Sequence, residues 1–511
     1  MSVEGEAARW AAILGVVARE IDQCGGRGWL VGGCLRDALL GIPVRDVDLA
    51  VTGDPLEYAE GIRMRLGAAV APLNRATVRL ALGNGIEPSG RREIDISALH
   101  GATIEDDLQL RDFRVNALAL PLAAYDEFVA LLDLAEQEEC TTPSDGSGET
   151  ALPAPVDLID PLQGVADLRA RRLKLASSHA LLDDPGRILR AARLAASHVF
   201  TPSRELLDAA RTASPLLRMV PRDRVRDEMN GLLSLPRAWR GLDFLAECGA
   251  LAVLLGDVSM PEALQHGIGS VHATSMLQER AGIGDLGHSA SEHGGMAYLL
   301  TLDAVGSWSV AALPDGFPRI VALRWGLLLH ALSDVGMLAE GEEGEGEGEA
   351  EARAQRVLEQ LPLATHMRVI ARAVLTCGEW RKRLAERTLS VIELRHFFAR
   401  YGDAGVDTLI GAVACGDALD GAAAADRRGA DDAAEQVRRV LALYFTERER
   451  LIPPPLLNGT ALMRELGMQP GPAIKAVLQA VRKAQLDGAI MTRDEALAVA
   501  EHTMHTIHAE H

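Results

Sequence analysis

Cysteine is sparse in this sequence and unpaired along it. The six cysteines (Cys24, Cys34, Cys140, Cys248, Cys377, Cys415) lie far apart and no Cys-x-x-Cys occurs. Neither a zinc ribbon nor a disulfide framework is indicated, and a reducing cytoplasm is the expected location. Aromatic residues make up only 4% of the chain, while Ala, Leu and Arg crowd most segments. That mixture favours helices over sheets. No apolar run approaches the roughly 18–20 residues that span a bilayer. The opening MSVEGEAARW has no basic stretch followed by an apolar one, so neither a membrane partner nor a signal peptide is expected. Positive charge is also in deficit: 52 Lys+Arg against 72 Asp+Glu leaves a net charge of −20. Taken alone, that argues against nucleic acid.

What is present is long and unevenly charged. The 511 residues, 48% hydrophobic and 24% charged, have the balance of a soluble globular chain. At roughly 100–200 residues per domain, three to four domains are expected. Seven glutamates and no base fall within 340–351, whereas 160–240 holds 15 Lys+Arg against 9 Asp+Glu, a local net of +6. Screening confines such fields to about 8–10 Å, so a basic segment of an acidic chain can still bind phosphate.

The first 130 residues mix strand and helix patterns. Residues 9–23 read as an amphipathic helix. GWLVGG is a short apolar strand ending in two glycines, CLRDALLG is helical, and VRDVDLAVTGD is an alternating strand. A helix at 55–67 and strands near 69–82 and 92–97 follow, after which the pattern is almost wholly helical. The polar, Pro/Gly/Ser-rich stretch 136–156 reads as a flexible insertion. The Glu/Gly run at 340–351 reads as a solvated disordered loop, and DGAAAADRRGADD at 420–432 as a further weak boundary.

Chemistry concentrates near residue 46. Asp46 and Asp48 stand two apart in a predicted strand, so they share a face, while Val47, Leu49 and Val51 take the other. Two carboxylates on one rigid face suit a pair of hard cations about 3.5–4 Å apart. Asp95, in REIDIS on another predicted strand, is a candidate third carboxylate. About ten residues before the pair, Gly32 and Gly33 end a strand and open a helix. Lacking Cβ atoms, they let backbone N–H groups approach a phosphate, and Arg36 one turn later can reach the same anion.

With these residues the chain resembles a known family. LVGGCLRDALLGIPVRDVDLAV is similar to the head-domain signature of class II tRNA CCA-adding enzymes and bacterial poly(A) polymerases, which are polymerase β-like nucleotidyltransferases. LRDFRVNALAL (110–120), IDPLQGVADLRARRLKL (159–175), DDPGRILRAARLAA (183–196), PRDRVRDEMNGLLSLPRAWRGLDFLAECGAL (221–251) and the tail segments PPPLLNGTALMRELGMQPGP and KAQLDGAIMTRDEAL match further motifs in order.

The resemblance implies an α+β fold. A mixed α/β nucleotidyltransferase head (1–158) would precede a helical neck and body (159–255), a helical HD-like region (256–430) and a helical tail (431–511). It implies Mg²⁺ on Asp46 and Asp48, with triphosphate contacts at Gly32, Gly33 and Arg36. Nucleotide contacts would come from Arg111, Asp112 and Asn116, and neck-helix roles from Asp184, Arg187, Arg190 and Arg193. The implied partners are CTP, ATP and the 3′ end of tRNA or another RNA.

The neck pair explains selection physically. Asp184 and Arg187, three apart on a predicted helix, are neighbours. A carboxylate only accepts and a guanidinium only donates. Cytosine and adenine each offer an amine donor beside a ring-nitrogen acceptor. Uracil and guanine present the opposite polarity and leave buried groups unpaired, at about 1–3 kcal/mol per group.

Some positions depart from the family pattern. Arg114 stands for the usual threonine, His100 for a common arginine, Gln163 for a glycine and Asp183 for a glutamate. In RWGLLLHALSDVG, Ala331 follows His330 where long members carry the aspartate of a His-Asp metal pair. His288, His293 and Asp417 are scattered, so no metal-dependent phosphohydrolase is expected, and His330 reads as a packed core histidine. A poly(A) polymerase on the same scaffold and a catalytically silent RNA-binding paralogue are the competing readings.

Overall fold

The protein is described here by a computed structural model covering residues 5–82, 92–137, 153–256, 261–280, 296, 303–334, 347–418 and 424–509. The chain forms two compact units, one within residues 1–257 and one within 258–511. Strands and helices alternate at the start of the first, and the remainder is mostly helical.

Helix α1 (Glu6–Gln23) buries Trp10, Leu14, Val17 and Ile21, spaced by three and four as one helical stripe. Strand β1 (Gly28–Val31), helix α2 (Gly33–Leu39), strand β2 (Asp46–Val51) and helix α3 (Pro55–Leu66) follow. The segment expected as strand near 69–82 is two strands, β3 (Ala69–Pro72) and β4 (Thr77–Leu82), closed by a tight turn. Next come β5 (Arg92–Ala98), helix α4 (Ile104–Gln109), β6 (Ala119–Pro121) and helix α5 (Tyr125–Gln137). The six strands make one sheet in the order β3-β4-β5-β2-β1-β6, antiparallel except where β2 meets β5.

The register of β2 is fixed by its inner face. Val47, Leu49 and Val51 are at most 1% exposed, while Asp46 and Asp48 face outward. Burying each branched side chain is worth about 1.5–3 kcal/mol. A slip of one residue would expose all three and bury both carboxylates.

The first unit continues with helices α6 (Gly164–Arg169), α7 (Ala180–Asp183), α8 (Arg187–Ser197), α9 (Arg204–Ala213), α10 (Arg222–Leu233) and α11 (Ala238–Glu247). Ile188, Leu189, Ala191, Ala192 and Ala195 bury one side of α8. A Cβ on Gly241 would stand 2.5 Å from the carbonyl oxygen of Ala192, so glycine is what lets α11 lie against α8.

In the second unit, the described parts of two expected breaks are helical. Residues 340–346 of the Glu/Gly run lie outside the described residues, but Glu347–Gln360 is a helix, anchored by buried Ala354 and Leu358. Of the expected break at 420–432, residues 420–423 lie outside the described residues and helix Ala424–Thr446 takes in the rest, with the boundary expected at 430 inside it. Ala and Arg are good helix formers, and buried Val437, Leu441 and Tyr444 hold its second half down. Of the insertion expected at 136–156, residues 138–152 lie outside the described residues, as do His288 and His293. The tail packs a cluster of its own around Leu462, Val477, Val481 and Ala496. Among the described residues no helix is long and apolar enough to cross a membrane.

Candidate active site

Gly32 turns the chain from β1 into α2 at φ +79° and ψ −134°, a conformation reserved for glycine. A Cβ there would stand 2.9 Å from Arg111 Nη1 and 3.5 Å from Asp48 Oδ2. The glycine turn, one carboxylate of the pair and one predicted nucleotide contact therefore meet at a point. Cys34, beneath the turn, is no nucleophile: burial, then the Asp48 charge, pushes its thiol up to about 12.

Both carboxylates hold protons above their ordinary range. For Asp48 the main cause is burial, then Asp95 and Asp46, opposed by Arg111 and Arg190. For Asp46 it is burial, then Glu93 and Asp95, opposed by Arg79. A crowded carboxylate pair that is short of positive charge fits a hard divalent cation.

Asp95 behaves differently. It sits opposite Asp48 in the β2–β5 register, but both its oxygens take 2.8 Å hydrogen bonds from Arg79, which also pairs with Glu93 at 2.7 Å. Asp46, Asp48 and Asp95 do not converge as a three-ligand group. The third carboxylate is tied up by a neighbour on β4 that sequence reasoning missed.

The other predicted contacts form a chain of hydrogen bonds. Arg36 is buried and was expected on the triphosphate. Instead its Nε and Nη2 donate to Asp37 at 2.8 and 2.9 Å, and its Nη1 donates to Asn116 Oδ1 at 2.7 Å. Asn116 Nδ2 donates to Asp112 Oδ1 at 3.0 Å, and Asp112 Oδ2 accepts from Arg190 Nε on α8 at 2.8 Å. At the other end, Asp37 Oδ1 lies 2.8 Å from His198 Nε2. Burial opposes the Asp37 charge, yet the His198 bond and Arg36 outweigh it and hold the carboxyl below its usual range. Burial pushes the His198 imidazole down, against the pull of Asp37. Arg111 rests on buried Asp107, which also receives the His100 backbone N–H.

The pair expected to read the base needs one correction. Asp184 is not on the neck helix. It is extended (φ −145°, ψ 93°) and α8 begins at Arg187. Pro185 explains this, since it disfavours helical backbone at the residue before it. The two side chains are neighbours all the same, with Arg187 Nε 3.8 Å from Asp184 Oδ2. Asp184 is also gripped by both terminal nitrogens of Arg224 at 2.8 and 2.7 Å. Arg187 donates to the carbonyls of Ala180 (3.3 Å) and Leu110 (3.1 Å), and Arg193 to Glu228 at 2.9 Å. Arg224 and Glu228 sit in the PRDRVRDEMNG run, whose spacing was legible but whose partners were not.

The poly A polymerase head domain matches residues 28–137, and the probable RNA- and SrmB-binding site of polymerase A matches 199–263. The CC-adding tRNA nucleotidyltransferase of Geobacter sulfurreducens is 34% identical over 236 residues, which is 46% of each chain, so about half of that relative's length is spanned. The A-adding tRNA nucleotidyltransferase of Deinococcus radiodurans is 28% identical over 489 residues, covering 92% of this chain and 94% of that one. The Thermotoga maritima CCA-adding enzyme complexed with tRNA shares the fold, with a TM-score of 0.54 and 19% identity over 98% of this chain and 96% of that chain.

Over most of its length the chain is similar to CC-adding and A-adding tRNA nucleotidyltransferases, and residues 28–137 match the poly A polymerase head domain.

Among the departures from the usual pattern of class II CCA-adding enzymes, Gln163 has a visible consequence. It sits at φ +60°, the left-handed region where glycine is at ease, and starts α6. Arg114 reaches the Leu175 carbonyl with Nε at 3.3 Å, and His100 Nδ1 lies 3.2 Å from Asp107.

Proposed function

We propose that this protein is a template-independent RNA nucleotidyltransferase that adds CMP and AMP from CTP and ATP to the 3′ end of tRNA. The 3′-hydroxyl attacks the α-phosphorus, a P–O bond forms, and pyrophosphate leaves. The observation that carries the reading is the meeting of Gly32, Asp48 and Arg111, with Arg190 of the neck helix tied to Asp112 beside them.

Asp46 and Asp48 would hold Mg²⁺, which neutralises phosphate charge and lowers the pKa of the hydroxyl. The backbone at Gly32 and Gly33 lets a triphosphate come close, and Arg111 offsets its charge. Asp112, fixed by the Phe113 N–H at 2.8 Å, Asn116 and Arg190, keeps these groups in register with α8. Asp184 and Arg187 accept from and donate to the base edge, and Arg224 orients the Asp184 carboxylate. The basic stretch 160–240 lies along the RNA backbone. A reducing, cytoplasmic setting suits this role.

Purified protein with a tRNA lacking its CCA end, given CTP and ATP singly and together, tests the proposal. Two C and one A are expected. C alone or A alone would place it with the CC-adding or A-adding relatives, and a long ladder with ATP alone would make it a tailing enzyme. Binding without incorporation would overturn the assignment.

A further inference from the structure

The second unit brings together three side chains that the sequence keeps far apart. His330 lies on helix Arg319–Asp334, Cys377 opens helix Cys377–Glu386, and Cys415 lies near the end of helix Ala404–Asp417. They are 6%, 0% and 2% exposed. One ligand atom from each lies within 4.8 Å of the others, and the two sulfurs are 3.4 Å apart. We propose that His330, Cys377 and Cys415 form a zinc site that ties these three helices together.

Four features support it. First, tetrahedral zinc with Zn–S near 2.3 Å sets two thiolates about 3.8 Å apart, within a few tenths of the spacing seen. Second, the imidazole is already oriented. Nδ1 lies 2.9 Å from the Leu375 carbonyl oxygen, which can only accept, so Nδ1 carries the proton and Nε2 the lone pair. Third, the cluster has a supporting shell. Ser270 Oγ lies 3.8 Å from Cys415 Sγ, and His266 Nε2 lies 3.3 Å from the Cys415 carbonyl oxygen. A Cβ on Gly378 would fall 2.8 Å from His330 Nε2, so glycine is what lets the Cys377 helix close on the ring. Fourth, the charges balance. Two thiolates and a neutral imidazole carry −2, so a divalent ion leaves no net charge buried, whereas a monovalent ion would leave one.

On binding, Cys377 and Cys415 each release a thiol proton to solvent, and Nε2 donates its lone pair without losing a proton. The site differs from a His-Asp phosphohydrolase centre, because its donors are sulfur and nitrogen and it lies inside a helix junction. Its role is to hold the junction.

The test uses the full-length protein, stripped with a chelator under reducing conditions and titrated with Co²⁺. A thiolate-to-cobalt charge-transfer band saturating at one ion per chain is expected, abolished by Zn²⁺ and accompanied by release of two protons. The band should persist in the double variant Asp46→Asn, Asp48→Asn, which separates this site from oxygen ligands in the head. Cys377→Ser and Cys415→Ser should each remove it, and Ser270→Ala should weaken zinc by about tenfold. Should the serine variants fail to fold, zinc protection of Cys377 and Cys415 from alkylation in the unaltered protein decides, measured in urea near the unfolding midpoint because both thiols are buried in the fold. No band, a band that survives in a folded Cys377→Ser protein, or unchanged alkylation with zinc present would overturn the proposal. So would a Cys377–Cys415 disulfide whose reduced form takes up no metal.

Discussion

Asp48→Asn removes one charge from a face where Asp46, Asp48 and Asp95 stand close together, so it should act on activity and stability in opposite directions. Asp48 lies directly opposite Asp95 in the β2–β5 register, and its carboxyl is held above the ordinary range by burial, then by Asp95 and Asp46. Like charges facing each other across strands cost about 0.2–1 kcal/mol per pair. Solvent screens part of that at this outward face, and the variant also loses attraction to Arg111 and Arg190. A net gain of about 0.5 kcal/mol is expected without divalent ions, or about 1–2 °C in Tm. Catalysis should move the other way. A lost ligand forfeits several kcal/mol of charge stabilisation, about a thousand-fold in rate at 1.36 kcal/mol per factor of ten. Thermal melts with chelator and with Mg²⁺, beside CTP incorporation into tRNA, read both effects. Mg²⁺ should raise the Tm of the unaltered protein and leave that of the variant nearly unmoved. A variant that melts lower in chelator, or keeps more than about a hundredth of the activity, would refute the reasoning.

Three further outcomes follow from the same geometry. Arg224→Ala frees the Asp184 carboxylate, so misincorporation of UTP or GTP relative to CTP should rise about ten- to a hundredfold, the worth of one or two misplaced buried partners, measured by competitive nucleotide incorporation. Gln163→Gly relieves a left-handed backbone costing roughly 1–2 kcal/mol, partly offset by the greater freedom of an unfolded glycine. A net gain of about 0.5–1 kcal/mol should appear as a higher urea midpoint at unchanged slope. His198 titrates in the fold below its ordinary 6.5, so the unfolded chain takes up the proton first and stability falls as pH drops below about 6.5. Asp37, held below 3.8, adds a loss only at still lower pH. His198→Gln should flatten the slope of Tm between about pH 7.5 and 5.5, and an unchanged slope would remove His198 as its source.

Strand β2 and the helical stripes of α1 and α8 were legible because each is a repeat of period two or 3.6 within a few residues, and the turn before α2 because two successive glycines mark it. That the same-face carboxylates lie on β2 is settled by Val47, Leu49 and Val51 alone. The choice of partners was not legible. Arg79 takes Asp95 across β4 and β5, Arg190 takes Asp112 from 78 positions away, and Arg224 takes Asp184 from 40. Cys377 and Cys415 meet through helices whose packing depends on glycines at 378 and 411. Side-chain periodicity is a local property of the backbone, so the sequence by itself determined which faces are apolar and which carry charge. Which charges neutralise one another, and which thiols touch, depends on how distant segments pack, and only the tertiary structure decided that.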